Sequence, residues 1–155
     1  NATVTDSIYI HSNAANAPSL AVKLEGTGEY VPPAAVQGVD VVISGPDAVI
    51  SWLPVTETIY GTPITPDGYI VLYNETPYED EQFFYFLSFT ADTIYTHHFV
   101  AQFRDSMFYR VVAYKSYRDE EIAALQQMAD SSEKITWKAV QSRLSGLRNW
   151  SGQRE

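Results

Sequence analysis

Three histidines and no cysteine limit the metal chemistry available to this 155-residue chain. His97 and His98 are adjacent, and adjacent side chains of a strand point to opposite faces, so the two rings do not chelate one metal ion. His11 is far away in the sequence, on a different predicted element. With no thiolate and no second well-spaced histidine, we assign no metal ligand and predict a structural role for the histidine pair.

Acidic side chains are the next candidates for chemistry. The loop with Glu75, Glu79, Asp80 and Glu81 offers the oxygen ligands that Ca²⁺ prefers, but it lacks the spacing and central glycine of a known calcium loop. A solvated turn beside a strand edge is the favoured interpretation. The sequence has no Gly-x-Ser-x-Gly elbow and no Gly-rich phosphate loop, and nearly every acid lies in a polar context. We therefore expect no catalytic residue, no cofactor and no enzyme activity.

An aromatic cluster is the most unusual local feature. It consists of Tyr78, Phe83, Phe84, Tyr85, Phe86 and Phe89. Alternate members of a strand face opposite ways, so one set fills the core and the other set is available to a ligand. On this interpretation Tyr78, Phe84 and Phe86 are the candidate ligand contacts. The favoured alternative is that the C-terminal helices or the N-terminal hairpin cover this second set.

Composition narrows the classes of protein further. A formal net charge of -9 opposes binding to nucleic acid and to anionic membranes. No run of about 18 apolar residues predicts membrane insertion, and the first residues do not resemble a signal peptide. Hydrophobic residues make up 45% and aromatics 14% of the chain, which is typical of an ordered, β-rich protein of about one domain with additions.

The first segment is predicted to form a β-hairpin without a second sheet of its own to pack against. Apolar residues alternate with period two over Val4–Ile10 and again over Leu20–Leu24, and turn residues fill 12–18. Pro32-Pro33 ends the second strand in a linker, so residues 1–33 form a hairpin and linker. Two strands alone are marginal in water, so something else must cover them.

Residues 34–116 have the strand spacing of a sandwich, with turn signals at short intervals. Six strands are predicted: Val39–Ser44, Ala48–Leu53, Gly68–Tyr73, Gln82–Ser88, Thr93–Val100 and Met107–Lys115. No convincing seventh strand follows. Residues 117–148 change to helical period, with acids at Asp119–Glu121 and a capping box predicted at Asp130–Glu133, and 149–155 form a loose tail.

Three segments carry a resemblance to a known family. Ile50-Ser51-Trp52, Tyr69–Tyr73 and Tyr109–Tyr114 are similar to the second, third and sixth strands of fibronectin type III domains. The resemblance implies a fibronectin type III or immunoglobulin-like β-sandwich, in which Trp52 fills the space between the sheets. The hairpin resembles the closing hairpin of ASH-type immunoglobulin-like domains, which implies that residues 1–33 are the remnant of such a domain in a bacterial secreted or surface protein.

These observations predict a mainly β, non-catalytic module with an N-terminal hairpin and a C-terminal helical appendage. The leading functional hypothesis is a structural or adhesive module that mediates protein-protein contact or spacing in a larger extracellular or cell-surface protein. The alternative is a carbohydrate-binding or enzyme-accessory module that uses exposed aromatics. The expected partners are protein domains of the same or a neighbouring chain, or polysaccharide.

Overall fold

The computed structural model divides the chain into two compact units, Asn1–Val31 and Pro32–Glu155. It describes residues 2–11, 19–28, 30–76, 79–103, 106–131 and 133–149. The first unit ends two residues before the limit predicted for the hairpin and linker. Its relation to a preceding immunoglobulin-like domain stays a prediction, and residues 150–155 of the predicted tail lie outside the described part of the chain.

The first unit is one antiparallel hairpin. Strand β1 (Ala2–His11) pairs with β2 (Ser19–Gly28), and the predicted turn at 12–18 lies outside the described residues. Ile8 lies opposite Val22 in this register, so their side chains share a face. Both of these side chains are exposed, and the described residues of this unit form no second layer over this face.

The described residues of the second unit form six strands, the number predicted from the sequence. They are β3 (Asp40–Ser44), β4 (Asp47–Ser51), β5 (Gly68–Asn74), β6 (Tyr85–Thr90), β7 (Ile94–His97) and β8 (Phe108–Tyr114). Strand β6 begins three residues later than predicted, because Glu81–Phe83 forms a 3₁₀ turn before it. Strand β7 ends three residues earlier than predicted, and a short helix, α1 (Val100–Phe103), follows it.

The six strands form two antiparallel sheets that share a hydrophobic core. One sheet has the order β3-β4-β7 and the other has the order β6-β5-β8. Ile50 of the first sheet and Trp52, just after β4, belong to the same buried cluster as Tyr69, Val71 and Ala113 from the second sheet. The protein is therefore mainly β, and both sheets of the second unit contribute to this cluster.

The central strand β5 is buried on both faces. Tyr69 and Val71 point toward the β3-β4-β7 sheet, whereas Ile70 and Leu72 belong to a second cluster on the opposite face. Successive strand residues alternate between faces, so a strand with two covered faces needs the continuous apolar run Tyr69–Leu72.

Two helices form the layer that covers this second face. Helix α2 (Asp119–Asp130) buries Leu125 and Met128, and α3 (Trp137–Asn149) buries Val140 and Leu144. Neither helix, among the described residues, is long and apolar enough to cross a membrane.

Helix α3 begins later than the sequence predicts, so the expected capping box at Asp130–Glu133 is wrong. The chain before α3 instead runs antiparallel to the start of β6. Phe86 N donates a hydrogen bond to Ile135 O at 2.7 Å, and Trp137 N donates one to Phe84 O at 2.7 Å. These bonds to a distant strand, which no local pattern reveals, hold residues 135–137 against the sheet.

Candidate functional site

Strand β8 lies at the edge of its sheet. It pairs with β5 from Phe108↔Asn74 to Tyr114↔Gly68, and within the described residues no strand lies on its other side. Every second residue of an edge strand turns its N–H and C=O groups away from the sheet, where they are available to another strand.

A groove of about 490 Å³ runs along this edge. One wall is the stretch from Tyr109 to Ala113, and the other is built mainly by residues 33–36 with Val39 and Ile59. Glu81 lies beside Arg110 at the edge, with 3.5 Å between Oε2 and Nη1. The lining is otherwise mostly apolar, so the groove suits an extended apolar segment better than a charged ligand.

The inner face of β3 is a second exposed apolar surface. Val41 lies opposite Ile50 and Ile43 lies opposite Ala48, so all four side chains point to the core side of the sheet. Ile50 and Ala48 are buried, yet Val41 is 41% exposed and Ile43 is 61% exposed. The inward-facing residues of β3 are therefore uncovered.

The wall opposite β8 is held in place by backbone hydrogen bonds. Ala34 N donates to Glu57 O at 2.9 Å, and Leu53 N donates to Gln37 O at 3.0 Å. Gly38, which follows Gln37, has φ +64°, and a Cβ at this position would lie 2.9 Å from Leu53 Cγ. Only glycine fits this conformation and this spacing without strain, so Gly38 helps to define the shape of the wall.

Asp67 anchors the C-terminal end of β8. Its carboxylate accepts hydrogen bonds from Lys115 Nζ at 2.6 Å and from the N and Oγ of Ser116, each at 2.8 Å. Partial burial pushes the pKa of Asp67 up, but the bonds from Lys115 and Ser116 outweigh this effect and lower the pKa below 3.8. The carboxylate therefore stays charged and fixes the chain as it leaves the sheet.

Tyr109 links β8 to the facing sheet. Its hydroxyl lies 3.0 Å from His97 Nδ1. Burial, together with Tyr95, raises the pKa of Tyr109 to about 12. Burial also lowers the pKa of His97, and His98 lowers it further. Both groups are neutral near pH 7, so the pair forms a packed, neutral hydrogen bond and not an activated nucleophile.

The second histidine of the pair points elsewhere, as predicted. His98 Nδ1 lies 3.0 Å from Asp47 Oδ2 at the surface, whereas His97 bonds to Tyr109. Among the described residues no group of three or more His, Asp or Glu side chains is arranged to hold a metal ion.

Two of the three predicted ligand contacts are corrected by the structure. Phe84 is 3% exposed and Phe86 is 6% exposed, and both belong to the cluster beneath α2 and α3. Tyr78 lies outside the described residues. The apolar faces of helices α2 and α3 pack against these two rings. The structure therefore agrees with the favoured alternative, in which the C-terminal helices cover Phe84 and Phe86.

Val39 lines the groove, but the sequence pattern indicated only that it belongs to a strand. The same pattern placed Val41 and Ile43 in this strand without indicating that their side chains are exposed. Two features of the sequence together indicated an exposed apolar surface here. The first predicted strand of the sandwich is apolar, and no seventh strand is predicted to cover it.

The comparisons with known proteins add no relative. No protein-family model, no curated protein and no solved structure matches this chain.

Proposed function

We propose that this chain is a non-catalytic module of a larger extracellular or cell-surface protein, in which it spaces its neighbours and binds another protein at the open edge of β8. The observation that carries the proposal is the groove between β8 and residues 33–39, together with the uncovered inner face of β3. An open strand edge beside an apolar floor is the arrangement used in strand-addition complexes.

The strand arrangement supports a fibronectin type III-like sandwich as the framework of this module. The three segments that resemble the second, third and sixth strands of that family fall on or beside β4, β5 and β8, which are the second, third and sixth strands of the second unit. Two antiparallel sheets packed face to face are the architecture that such domains share. The groove lies where a further strand would extend the β6-β5-β8 sheet.

The polysaccharide alternative has lost two of the residues on which it depended, because Phe84 and Phe86 are buried. Protein contact through the groove requires instead a partner segment that is extended and carries apolar side chains. The mostly apolar lining of the groove suits such a segment.

The proposal is tested with the variants Ile43→Lys and Val42→Lys. Both residues lie on β3 and are similarly exposed, at 61% and 55%. Only Ile43 shares the inner face of the sheet with the buried Ala48, whereas Val42 lies on the opposite face. Each variant and the wild-type chain are immobilised, and proteins retained from a surface-protein fraction of the source cells are quantified by mass spectrometry. A glycan array is probed in parallel with the same three proteins.

We expect a defined set of proteins to be retained by the wild-type chain and by Val42→Lys, and to fall about tenfold or more with Ile43→Lys, because a buried unpaired ammonium opposes binding. Equal retention by all three proteins would contradict a role for the groove. Binding to glycans alone would replace the proposal with the polysaccharide alternative.

A further inference from the structure

We infer that the contact between His97 and Tyr109 is a pH-sensitive switch at the groove beside β8. The neutral imidazole holds the Tyr109 side chain in the wall of the groove, and the protonated imidazole releases it. The inference rests on the proposed function and adds the regulation of the same site, because mild acid then weakens binding to the groove.

Tyr109 belongs both to the groove and to this contact. It begins the stretch of β8 that lines the groove, and its hydroxyl lies 3.0 Å from His97 Nδ1 on the facing sheet. The two rings also meet edge-on, with 5.9 Å between their centroids. The position of the Tyr109 side chain therefore depends on His97, so a change at His97 reaches one end of the groove.

The surroundings of His97 suit a neutral imidazole. The residue is half-buried, and the centroid of the Tyr73 ring on β5 lies 5.7 Å from the centroid of the imidazole. Nδ1 faces a hydroxyl, and none of the ion pairs among the described residues includes this ring. A charge in such a site loses hydration without gaining a partner. Burial therefore lowers the pKa of His97, and His98 lowers it further.

Neighbouring cations do not offset this cost. Next along the chain, His98 adds a positive charge when it is protonated. On the other side of the Tyr73 ring lie Tyr85 of β6 and Lys134, whose Nζ is 5.9 Å from the Tyr73 centroid and 3.9 Å from the Tyr85 centroid. Both cations oppose a further positive charge on His97 in its present position.

An open pocket offers the protonated ring a second position. His97 lines this pocket of about 220 Å³ together with Glu75, which supplies its carboxylate. A carboxylate and open solvent favour the charged imidazole there, whereas the contact with Tyr109 favours the neutral one. The two positions therefore differ in the protonation state that they stabilise, which a pH switch requires.

The backbone at His97 is fixed, so its side chain responds to protonation. His97 pairs with Ala48 of β4 at the end of β7. Asp47 of the same strand accepts a hydrogen bond from Phe99 N at 2.8 Å, and its second carboxylate oxygen lies 3.0 Å from His98 Nδ1. Phe99 has φ +59°, a left-handed backbone that is uncommon outside glycine and that the bond to Asp47 holds in place. The strand therefore stays in place while the imidazole rotates.

The sign and the size of the switch follow from proton linkage. A released imidazole titrates near its ordinary pKa of about 6.5, whereas the contact holds the pKa of His97 below that value. Below about pH 6.5 the released form therefore binds more protons, and acid shifts the equilibrium toward it. Between pH 7 and pH 5 the ratio of released to bound imidazole rises by up to about 25-fold, the limit for a bound form that does not titrate in this range.

An NMR titration of the full-length chain between pH 7 and pH 5 tests the inference. It follows the imidazole of His97, the ring of Tyr109 and the amides of both groove walls, residues 34–36 and 111–113. We expect all of these signals to shift together, with one midpoint below pH 6.5. Groove walls that do not follow the titration of His97, or a His97 midpoint at or above pH 6.5, would overturn the inference.

Three variants separate the switch from a merely structural contact, and circular dichroism checks that each one folds. His97→Gln should abolish the response of the groove walls, and a response that persists would also overturn the inference. His98→Gln is the matched control at an exposed site: it should keep the response and raise its midpoint, because His98 lowers the pKa of His97. In Tyr109→Phe, His97 should still titrate, but the groove walls should no longer follow it.

The titration uses the chain alone, so its outcome is separate from that of the proposed function. A chain that retains no other protein contradicts the proposed function, and its groove walls still report the switch. Where proteins are retained at pH 7, we expect a step to pH 5 to release them from the wild-type chain and from His98→Gln but not from His97→Gln. Equal release from all three would assign the acid effect to another group and contradict the regulation.

Discussion

Replacing Tyr114 by phenylalanine is expected to weaken the attachment of the helical layer to the β6-β5-β8 sheet. Glu121 in the first turn of α2 is fully buried, and the Tyr114 hydroxyl donates a hydrogen bond to its carboxylate. Phenylalanine keeps the ring, which packs edge-on against Phe89 with 6.4 Å between centroids. The substitution therefore removes the hydroxyl and little else.

The magnitude follows from the burial of the Glu121 side chain. Leaving a buried acceptor without its hydrogen bond costs about 1–3 kcal/mol of the free energy of unfolding. In a protein of this size each kcal/mol corresponds to a change of about 2–4 °C in melting temperature. We therefore expect the melting temperature of Tyr114→Phe to fall by about 2–12 °C.

Urea and thermal unfolding of four proteins check this expectation: Tyr114→Phe, Glu121→Gln, the double variant, and Glu120→Gln as an exposed neighbour on the same helix. The double variant should lose less free energy than the sum of the two single variants, because the second substitution removes a bond already broken. If Tyr114→Phe melts within about 1 °C of Glu120→Gln, or if the two losses add fully, the hydroxyl does not hold the helical layer and the reasoning fails.

Truncating Trp52 to alanine is expected to cost about 3–5 kcal/mol, because the ring fills the core beside Tyr69, and a near-unchanged unfolding curve would contradict the packing of the two sheets. Asp67 adds stability above about pH 3.9, its unfolded pKa, and this contribution is lost as pH falls through the lowered folded pKa. Urea unfolding of Asp67→Asn should therefore show lower stability at pH 7 and a shallower loss below about pH 4. The pKa of His97 is also lowered in the folded chain, so protonation opposes folding and stability falls as pH drops below about 6.5. His97→Gln should flatten unfolding free energies measured between pH 7 and pH 5, and an unchanged slope would assign that pH dependence to another group.

Strand β5 shows which parts of the fold the sequence predicts well. Its run Tyr69–Leu72 is apolar at every position, and flanking turn residues mark both ends. Helix α2 is equally clear, because acids precede an apolar stripe at helical spacing. In both cases the residues that decide the structure are neighbours in the sequence, so periodicity and end signals are sufficient.

The start of α3 and the fate of the aromatic cluster were harder to predict, because distant contacts decide them. Asp130–Glu133 has the composition of a capping box, but α3 begins only at Trp137. Ile135 O accepts a hydrogen bond from Phe86 N and Trp137 N donates one to Phe84 O, and these bonds hold residues 135–137 against the start of β6. Phe84 and Phe86 have the alternating pattern of aromatic residues that present their rings to a ligand. They are core residues because two helices pack over them. Local preference is overridden when tertiary bonds outweigh it.

The sequence left the partner of one strand edge unassigned, because no convincing seventh strand follows to pair beside Phe108–Tyr114. Within the described residues, the structure has no strand paired at that edge. The groove itself depends on residues 33–39, which contact β8 from far away in the sequence and carry no motif.

The pairing of Ile135 and Trp137 with the start of β6 has a consequence for how large an assembly this chain can form. It occupies the first residues of one outer strand of the β6-β5-β8 sheet with the chain's own backbone, whereas the other outer strand, β8, is open. A sheet with two open outer strands can add strands on both sides, which is how cross-β assemblies grow. Here the start of β6 is already paired, so under the proposed function a partner's strand adds to this sheet at β8.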